Sequence, residues 1–244
     1  MERIAGTFLP ALQNAIRRAL PDKTWSLDHD PLDPQVLLFR YPRLIVGEAS
    51  YFDPVVKIEL GTRSDPIPTQ IRMVQAEVAL VFPQAFDQPQ VRLRALEPAR
   101  TFLEKVSLLH ETGFKSAQGK ARPAKLARHY YDVAKLIEAG IGRQVLEDAA
   151  LFERVIANRR VYFKVTGLDY DAMLRDGLKL VPEEPFKDVW ARDYADMRRE
   201  MFYGTPPAWS EVIQAVAEWE TAFNQRRAMW IAARAKGDPG PGRA

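Results

Sequence analysis

The feature that most limits the fold of this chain is a change in hydrophobic period near residue 96. Before it, Pro, Asp and Gly separate short runs rich in Val, Ile, Leu and aromatic residues: TWSLDHD, QVLLFRY, VVKIELG, QAEVALVF and VRLRAL. After it, apolar residues recur at the helical period of about 3.6. The pattern predicts an α+β protein, in which a sheet of about four to five mostly antiparallel strands precedes a helical bundle.

The same change predicts the domain organisation. We expect a first domain over residues 1–96, opened by an amphipathic helix at residues 5–20, and a helical domain over residues 97–236. Residues 142–160, GRQVLEDAALFERVIANRR, are predicted to form one helix. The last residues, 237–244, read GDPGPGRA and are predicted to be a disordered tail, because they offer nothing to pack into a core.

Composition excludes several classes of protein. The chain has no cysteine and three histidines, so disulfides and thiolate metal sites are excluded, and carboxylates would have to hold any metal, which favours magnesium or manganese. No run reaches the roughly 18 apolar residues of a membrane span, and no signal-peptide core is present, so we expect a cytoplasmic protein. The net charge of +3 is compatible with a nucleic-acid partner but does not by itself indicate one.

A charged residue borders the predicted buried stripe of each of two consecutive helices. Lys105 borders the stripe of the first helix, and Asp132 borders that of the second. The stripes are Phe102, Leu103, Val106 and Leu109, then Leu126, Tyr130, Val133 and Ile137. The pattern alone leaves open a structural ion pair, either Lys105 with Asp132 or Glu104 with Arg128, and this is the commoner role of such charges. His129 is interpreted as a helix-surface residue.

The strand VVKIELGTR carries polar residues on one face. Alternation places Lys57 and Glu59 on the face opposite Ile58, and Arg63 follows just past Gly61. A half-exposed sheet explains such a face. A carboxylate and two cations would also suit a triphosphate and its metal.

Three segments, VKIELGTRSDPIP, ARTFLEKVSLLHE and RHYYDVAKL, resemble in this order the AbiEii/AbiGii abortive-infection nucleotidyltransferases, toxins of bacterial type IV toxin–antitoxin systems. The resemblance covers residues 5–140, and the later helices are compatible but unspecific. It implies a polymerase-β-like nucleotidyltransferase fold, here a partial one, followed by a helical domain. It also implies that a nucleoside monophosphate is transferred from a nucleoside triphosphate, with Mg²⁺, to tRNA or to a protein hydroxyl, arresting growth. A cognate antitoxin would be a further partner, and no membrane is implied.

The resemblance also suggests roles for single residues. The positions that match the family's motifs are Glu59 and Arg63 in the strand, Glu104 and Lys105 in the first helix, and Arg128 and Asp132 in the second. Lys105 and Asp132 would be catalytic, Lys105 as the cation at the triphosphate and Asp132 as the group that orients it or as a base. Glu59, Arg63 and Arg128 would contact the nucleotide, and two roles stay open for Glu59: the third metal carboxylate or a structural partner of Arg63.

One departure from the family concerns the metal. The family's Gly-rich turn and Asp-x-Asp strand are not found in residues 1–20, so the chain looks like a member without its first strand–helix–strand portion, and the metal ligands are unknown. Asp28-His29-Asp30 has the right spacing, but Pro31 and Pro34 predict a strand that runs into a turn, so we discount it.

The alternative hypothesis is a catalytically incomplete homologue that binds a protein or RNA. The basic segment at residues 115–128, KSAQGKARPAKLAR, would contact phosphates if RNA is the acceptor, although such a charge run is also typical of a solvated loop.

Overall fold

The computed structural model describes residues 4–42, 55–61, 65, 67–120, 124–202 and 204–235. The chain forms two compact units, Met1–Ser64 with Arg198–Phe202, and Asp65–Met197 with Tyr203–Ala244. Both strands and helices are present, the sheets are small and antiparallel, and the C-terminal region is helical, which confirms the α+β class. Within the described ranges, every helix is too short or too polar to cross a membrane.

The first unit contains a helix and a three-stranded antiparallel sheet with β2 at its centre. Its elements are α1 (Leu9–Ala19), preceded by a π-helical turn (Ile4–Phe8), β1 (Ser26–His29), β2 (Val36–Arg40) and β3 (Val55–Glu59). Leu37 of β2 lies opposite His29 of β1 and Ile58 of β3, and it has no exposed surface. The first three predicted strands are therefore confirmed.

The second unit begins with a two-stranded antiparallel sheet, β4 (Thr69–Gln75) and β5 (Gln90–Leu96). Between them lie the short helix α2 (Glu77–Val81) and a 3₁₀ turn (Pro83–Ala85). The prediction that QAEVALVF is a strand is wrong: the strand lies earlier, in TQIRMVQ, and EVALV is helical. A short apolar run fits a strand and a helix equally well, because periodicity cannot separate them over five residues. The strands also form two sheets instead of the single predicted one.

The helices of the second unit pack around aromatic side chains. They are α3 (Pro98–Ala117), α4 (Ala127–Glu138), α5 (Ile141–Val145), α6 (Ala149–Tyr162), α7 (Tyr170–Asp176), α8 (Glu184–Glu200) and α9 (Trp209–Ala235). The residues of α8 from Arg198 onward belong to the first unit. The ring of Trp219 lies 4.7 Å from that of Phe102 and 4.8 Å from that of Phe223, between centroids, and Phe223 lies 4.9 Å from Phe152. These contacts join α9 to α3 and α6. They form the apolar core against which α4 is positioned.

The segment at residues 142–160 forms two helices and not the single one predicted. α5 ends at Val145, and α6 starts after Asp148, whose side chain accepts a hydrogen bond from the backbone N–H of Leu151 at 2.9 Å. An aspartate at this position satisfies an otherwise unpaired N–H group at the start of a helix. The N-cap therefore separates α6 from α5.

Candidate functional site

Lys105 and Asp132 form an ion pair between α3 and α4. Lys105 Nζ donates a hydrogen bond to Asp132 Oδ2 at 2.7 Å. The side chains are 23% and 38% exposed, so solvent reaches the pair although both residues border buried positions. Of the two ion pairs that the sequence left open, the structure contains this one. An ammonium held by one carboxylate and open to solvent can also contact an anionic ligand.

Glu104, next in sequence to Lys105, accepts a hydrogen bond from the fully buried Arg100, with Nε and Oε1 2.9 Å apart. Arg100 Nη1 also donates to Asp65 Oδ2 at 3.0 Å and to the carbonyl oxygen of Ile67 at 2.6 Å. Arg154 pairs with the same Asp65 carboxylate. The hydrogen bond from Arg154 and the charge of Arg100 hold the pKa of Asp65 below its usual value. The start of α3 is thereby tied to the segment before β4.

His129 lies beside the Lys105–Asp132 pair and is less exposed than the sequence suggested. Burial, followed by the charges of Lys105 and Arg128, lowers its pKa to about 4. The imidazole is therefore neutral near pH 7. Its Nδ1 is buried, and no hydrogen-bond partner for it occurs within the described ranges. A neutral ring at this place adds no charge to the site, which leaves Lys105 and Arg128 as its cations.

The remaining predicted site residues are distributed over the chain. Arg128 is exposed on α4, one helical turn before Asp132. Glu59 is exposed at the end of β3, in the first unit, opposite Val36 of β2. Arg63 lies outside the described residues. The structure thus brings Lys105 and Asp132 into contact and places Arg128 on the same helix as Asp132.

Asp193 of α8 fixes the start of α4. Its carboxylate accepts hydrogen bonds from the backbone N–H groups of Lys125, Leu126 and Ala127, at 3.0, 3.0 and 2.9 Å. Leu126 and Ala127 lie at the start of the helix, where backbone N–H groups lack partners within the helix, and a carboxylate also favours the positive end of the helix dipole. Sequence analysis missed this residue because it lies 66 positions after Ala127.

Tyr130 fixes α4 at a second point, two residues before Asp132. It is 1% exposed, which confirms the prediction that it belongs to the core. Its hydroxyl donates to the carbonyl oxygen of Leu180 at 2.5 Å, and its ring packs edge-on against Trp190, with centroids 4.9 Å apart. The backbone that carries Asp132 is therefore held by α8 and by the segment before it.

A second charged cluster is buried and was not predicted. Arg159 of α6 donates two hydrogen bonds to the Glu111 carboxylate of α3, at 2.7 and 2.6 Å. The hydroxyl of Tyr170 donates to the same carboxylate at 3.1 Å. Burial and the charge of Glu111 raise the pKa of Tyr170 to about 12. Because its atoms are satisfied internally, the cluster connects α3, α6 and α7 and is not a candidate site.

The described carboxylates do not assemble a magnesium site. Asp30 accepts a hydrogen bond from the N–H of Leu32 at 2.9 Å, closing the expected turn, and Asp28 is exposed, 3.9 Å from Arg40. Nowhere in the described part of the chain do three His, Asp or Glu side chains come together in a group able to hold a metal ion. We therefore assign no metal ligand.

Comparison with protein families gives a match that covers nearly the whole chain. The family described as nucleotidyl transferase AbiEii toxins of type IV toxin–antitoxin systems matches residues 4–225. The chain belongs to the AbiEii family. The resemblance seen over residues 5–140 is thereby confirmed, and the match continues through the later helices into α9. Searches of curated proteins and of solved structures gave no match.

Proposed function

We propose that this AbiEii-family chain transfers a nucleoside monophosphate from a nucleoside triphosphate to tRNA or to a protein hydroxyl. In this proposal it acts in the cytoplasm, arrests growth and is countered by a cognate antitoxin. The observation that supports it is the Lys105–Asp132 ion pair, 2.7 Å long and open to solvent, on two helices within the family match.

The proposed chemistry needs a cation at this place. An acceptor hydroxyl oxygen bonds to the α-phosphorus, the bond from that phosphorus to the pyrophosphate oxygen breaks, and the hydroxyl proton passes to a base. Negative charge grows on the phosphate oxygens and the leaving pyrophosphate, where the Lys105 ammonium would stabilise it. The hydrogen bond to Asp132 limits the positions of Nζ, so we assign Asp132 to orienting Lys105, with the role of base as the alternative.

We further propose that Glu59, Arg63 and Arg128 contact the nucleotide. Arg128 is suited to this because it is an exposed cation on the helix of Asp132. Family membership implies that the transfer depends on Mg²⁺, but the described residues do not fit a metal ion, so no step is assigned to one. We also propose that a domain boundary lies near residue 96, and that the strands belong to a partial polymerase-β-like nucleotidyltransferase fold.

The decisive experiment compares the ion pair between α3 and α4 with an ion pair that lies within α4. We expect Lys105→Ala and Asp132→Ala to abolish growth arrest on overexpression, and to lower incorporation of labelled nucleotide into tRNA or protein by at least about a hundredfold. Lys135→Ala is the matched control, because Lys135 also lies on α4 in an ion pair, with Glu138, and is exposed. It should leave both activities unchanged.

Asp132→Asn separates the two roles of the aspartate. Its amide oxygen can still accept a hydrogen bond from Lys105, so an orienting role predicts activity between that of the parent and that of Asp132→Ala. A base predicts that Asn and Ala are equally inactive, because neither takes up a proton.

Binding without catalysis is the second candidate function. The lack of a metal-ligand cluster within the described ranges favours it, as does the basic segment at residues 115–128. If growth arrest survives in folded Lys105→Ala and Asp132→Ala variants, the transferase proposal is wrong. Retention of RNA or of a partner protein by the same variants would then support the binding function.

A further inference from the structure

The second unit contains a pocket of about 160 Å³ that Lys105 and Asp132 do not line. It lies beside the C-terminal half of α3, Tyr130 of α4 and the segment that leads into α8. Apolar side chains make up most of its wall: Phe114, Tyr130, Leu180, Pro182, Phe186 and Trp190. A dry apolar cavity of about 150 Å³ is large enough to bind benzene. The volume therefore suits a ligand of one or two rings.

The walls of this pocket favour an aromatic ligand over an aliphatic one. Tyr130 and Trp190 pack edge to face on each other and are only 1% and 2% exposed, so they close the wall of the pocket. Phe114 and Phe186 also line the pocket and keep partly exposed surface. Because aromatic rings prefer edge-to-face and offset contacts, a flat ring can pack on Phe114 and Phe186.

His110 is a polar residue of the pocket wall. Its Nδ1 accepts a hydrogen bond from the backbone N–H of Lys179 at 2.9 Å. Burial lowers the pKa of His110 to about 4, so the ring is neutral near pH 7. Because Nδ1 is the acceptor, the proton of the neutral ring lies on Nε2, which makes Nε2–H a donor.

The net charge of the pocket wall is close to zero. Its charged residues, Lys179 and Glu183, are both exposed and opposite in sign. A charged ligand would lose hydration on entering an apolar space without gaining a matched counter-charge. The wall therefore selects against ions.

We propose that this pocket binds a small uncharged heteroaromatic molecule of one or two rings, and that an acceptor nitrogen or oxygen of the ligand takes a hydrogen bond from His110 Nε2–H. The proposal is independent of the proposed transfer reaction, because none of its residues belongs to the Lys105–Asp132 pair.

Two probes of equal size test the ligand class on the full-length protein. Quinoline carries a ring nitrogen that accepts a hydrogen bond, and naphthalene is its hydrocarbon counterpart. We expect quinoline to bind at a single site with a dissociation constant of about 0.1–1 mM. Naphthalene should bind at least about fivefold more weakly. Ligand-observed NMR measures the binding of both probes. Equal binding of the two would overturn the role of His110.

Two substitutions test the location. Ala117→Leu and Gly113→Leu each add volume from an exposed α3 position that lines the pocket, and a Cβ at Gly113 meets no atom within 4 Å. Each should weaken quinoline binding at least about tenfold. Ala150→Leu is the control, because Ala150 is exposed on α6 and does not line the pocket.

Quinoline binding is compared only among variants whose circular dichroism spectrum matches that of the parent. If Ala117→Leu and Gly113→Leu both bind quinoline as tightly as the parent does, the proposed location of the site is wrong. Failure of the folded parent to bind quinoline at several millimolar would overturn the site itself, whatever the transferase assay shows.

Discussion

His110 makes the stability of the protein depend on pH. Its folded-state pKa of about 4 lies below the ordinary value of 6.5, mainly because the ring is buried. Between these values the unfolded chain binds more protons than the native one, so the contribution is complete above about pH 6.5 and is lost as the pH falls towards 4. We expect the parent to lose about 2 kcal/mol more unfolding free energy than His110→Gln between pH 7 and pH 4.5, measured by urea denaturation.

His129 should act in the same direction, because its pKa is also lowered to about 4. His129→Gln therefore serves as an independent repeat of the measurement at the other ring. If the unfolding free energies of the parent and of both variants change with pH in parallel, neither histidine is held neutral by the fold.

The sequence predicted the position of a single residue only where that position follows from the periodicity of its own helix. Periodicity placed Lys105 and Asp132 at the edges of buried stripes, and the structure shows them in contact. Periodicity did not predict the burial of His129, because that depends on the neighbouring helix α3. It also missed the buried Glu111, whose partners Arg159 and Tyr170 lie 48 and 59 positions away.

At the scale of the elements, Asp193 determines the stability of α4. Asp193→Ala removes the acceptor of three backbone N–H groups and should lower the unfolding free energy by about 2–4 kcal/mol. Under the proposed function it should also lower nucleotide transfer, because α4 carries Asp132. Urea denaturation and the transfer assay measure the two effects.

Asp188→Ala is the control for this change, since Asp188 is exposed on the same helix, α8. It should change stability by less than about 0.5 kcal/mol. If the two substitutions have equal effects, the contacts to the start of α4 contribute no measurable stability.

The buried pair of Glu111 and Arg159 should show strong coupling between α3 and α6. Arg159→Met leaves the Glu111 carboxylate buried without its two charged hydrogen bonds, at a cost of about 3–5 kcal/mol. The double variant Glu111→Leu with Arg159→Met removes both charges and should recover most of that loss. Denaturation of the two single variants and the double variant gives the coupling energy, and simple additivity would contradict the prediction.

The sequence predicted elements where length or alternation favoured one structure. The strands β1, β2, β3 and β5 stand out because β-branched and aromatic residues lie between turn residues. α2 was predicted as a strand because five apolar-rich residues fit either structure. The break between α5 and α6 had a visible signal in Asp148, a residue preferred at the start of a helix.

At the scale of the whole molecule, the aromatic core should account for much of the stability of the second unit. Phe223 of α9 is fully buried and packs on the rings of Phe152 and Trp219. Phe223→Ala should therefore cost about 3–5 kcal/mol, seen as a lower urea midpoint. Met229→Ala on the same helix is the control, because Met229 is 61% exposed and should have little effect.

The overall organisation followed from the change of period near residue 96, which predicted strands before helices and so the α+β class. What the sequence did not predict is which distant segments meet. Asp65, for example, pairs with Arg100 and Arg154, 35 and 89 positions later. Such contacts depend on tertiary packing and have no local pattern.

The cap on α4 has a consequence for the order in which a newly made chain matures. α3 and α4 leave the ribosome before α8, but the carboxylate that secures the first turn of α4 belongs to Asp193. Chains fold progressively from the N-terminus during synthesis, so α4 emerges without this support and acquires it only after α8 has been translated. A nascent chain therefore carries Lys105 and Asp132 for some time before the geometry that joins them is stabilised.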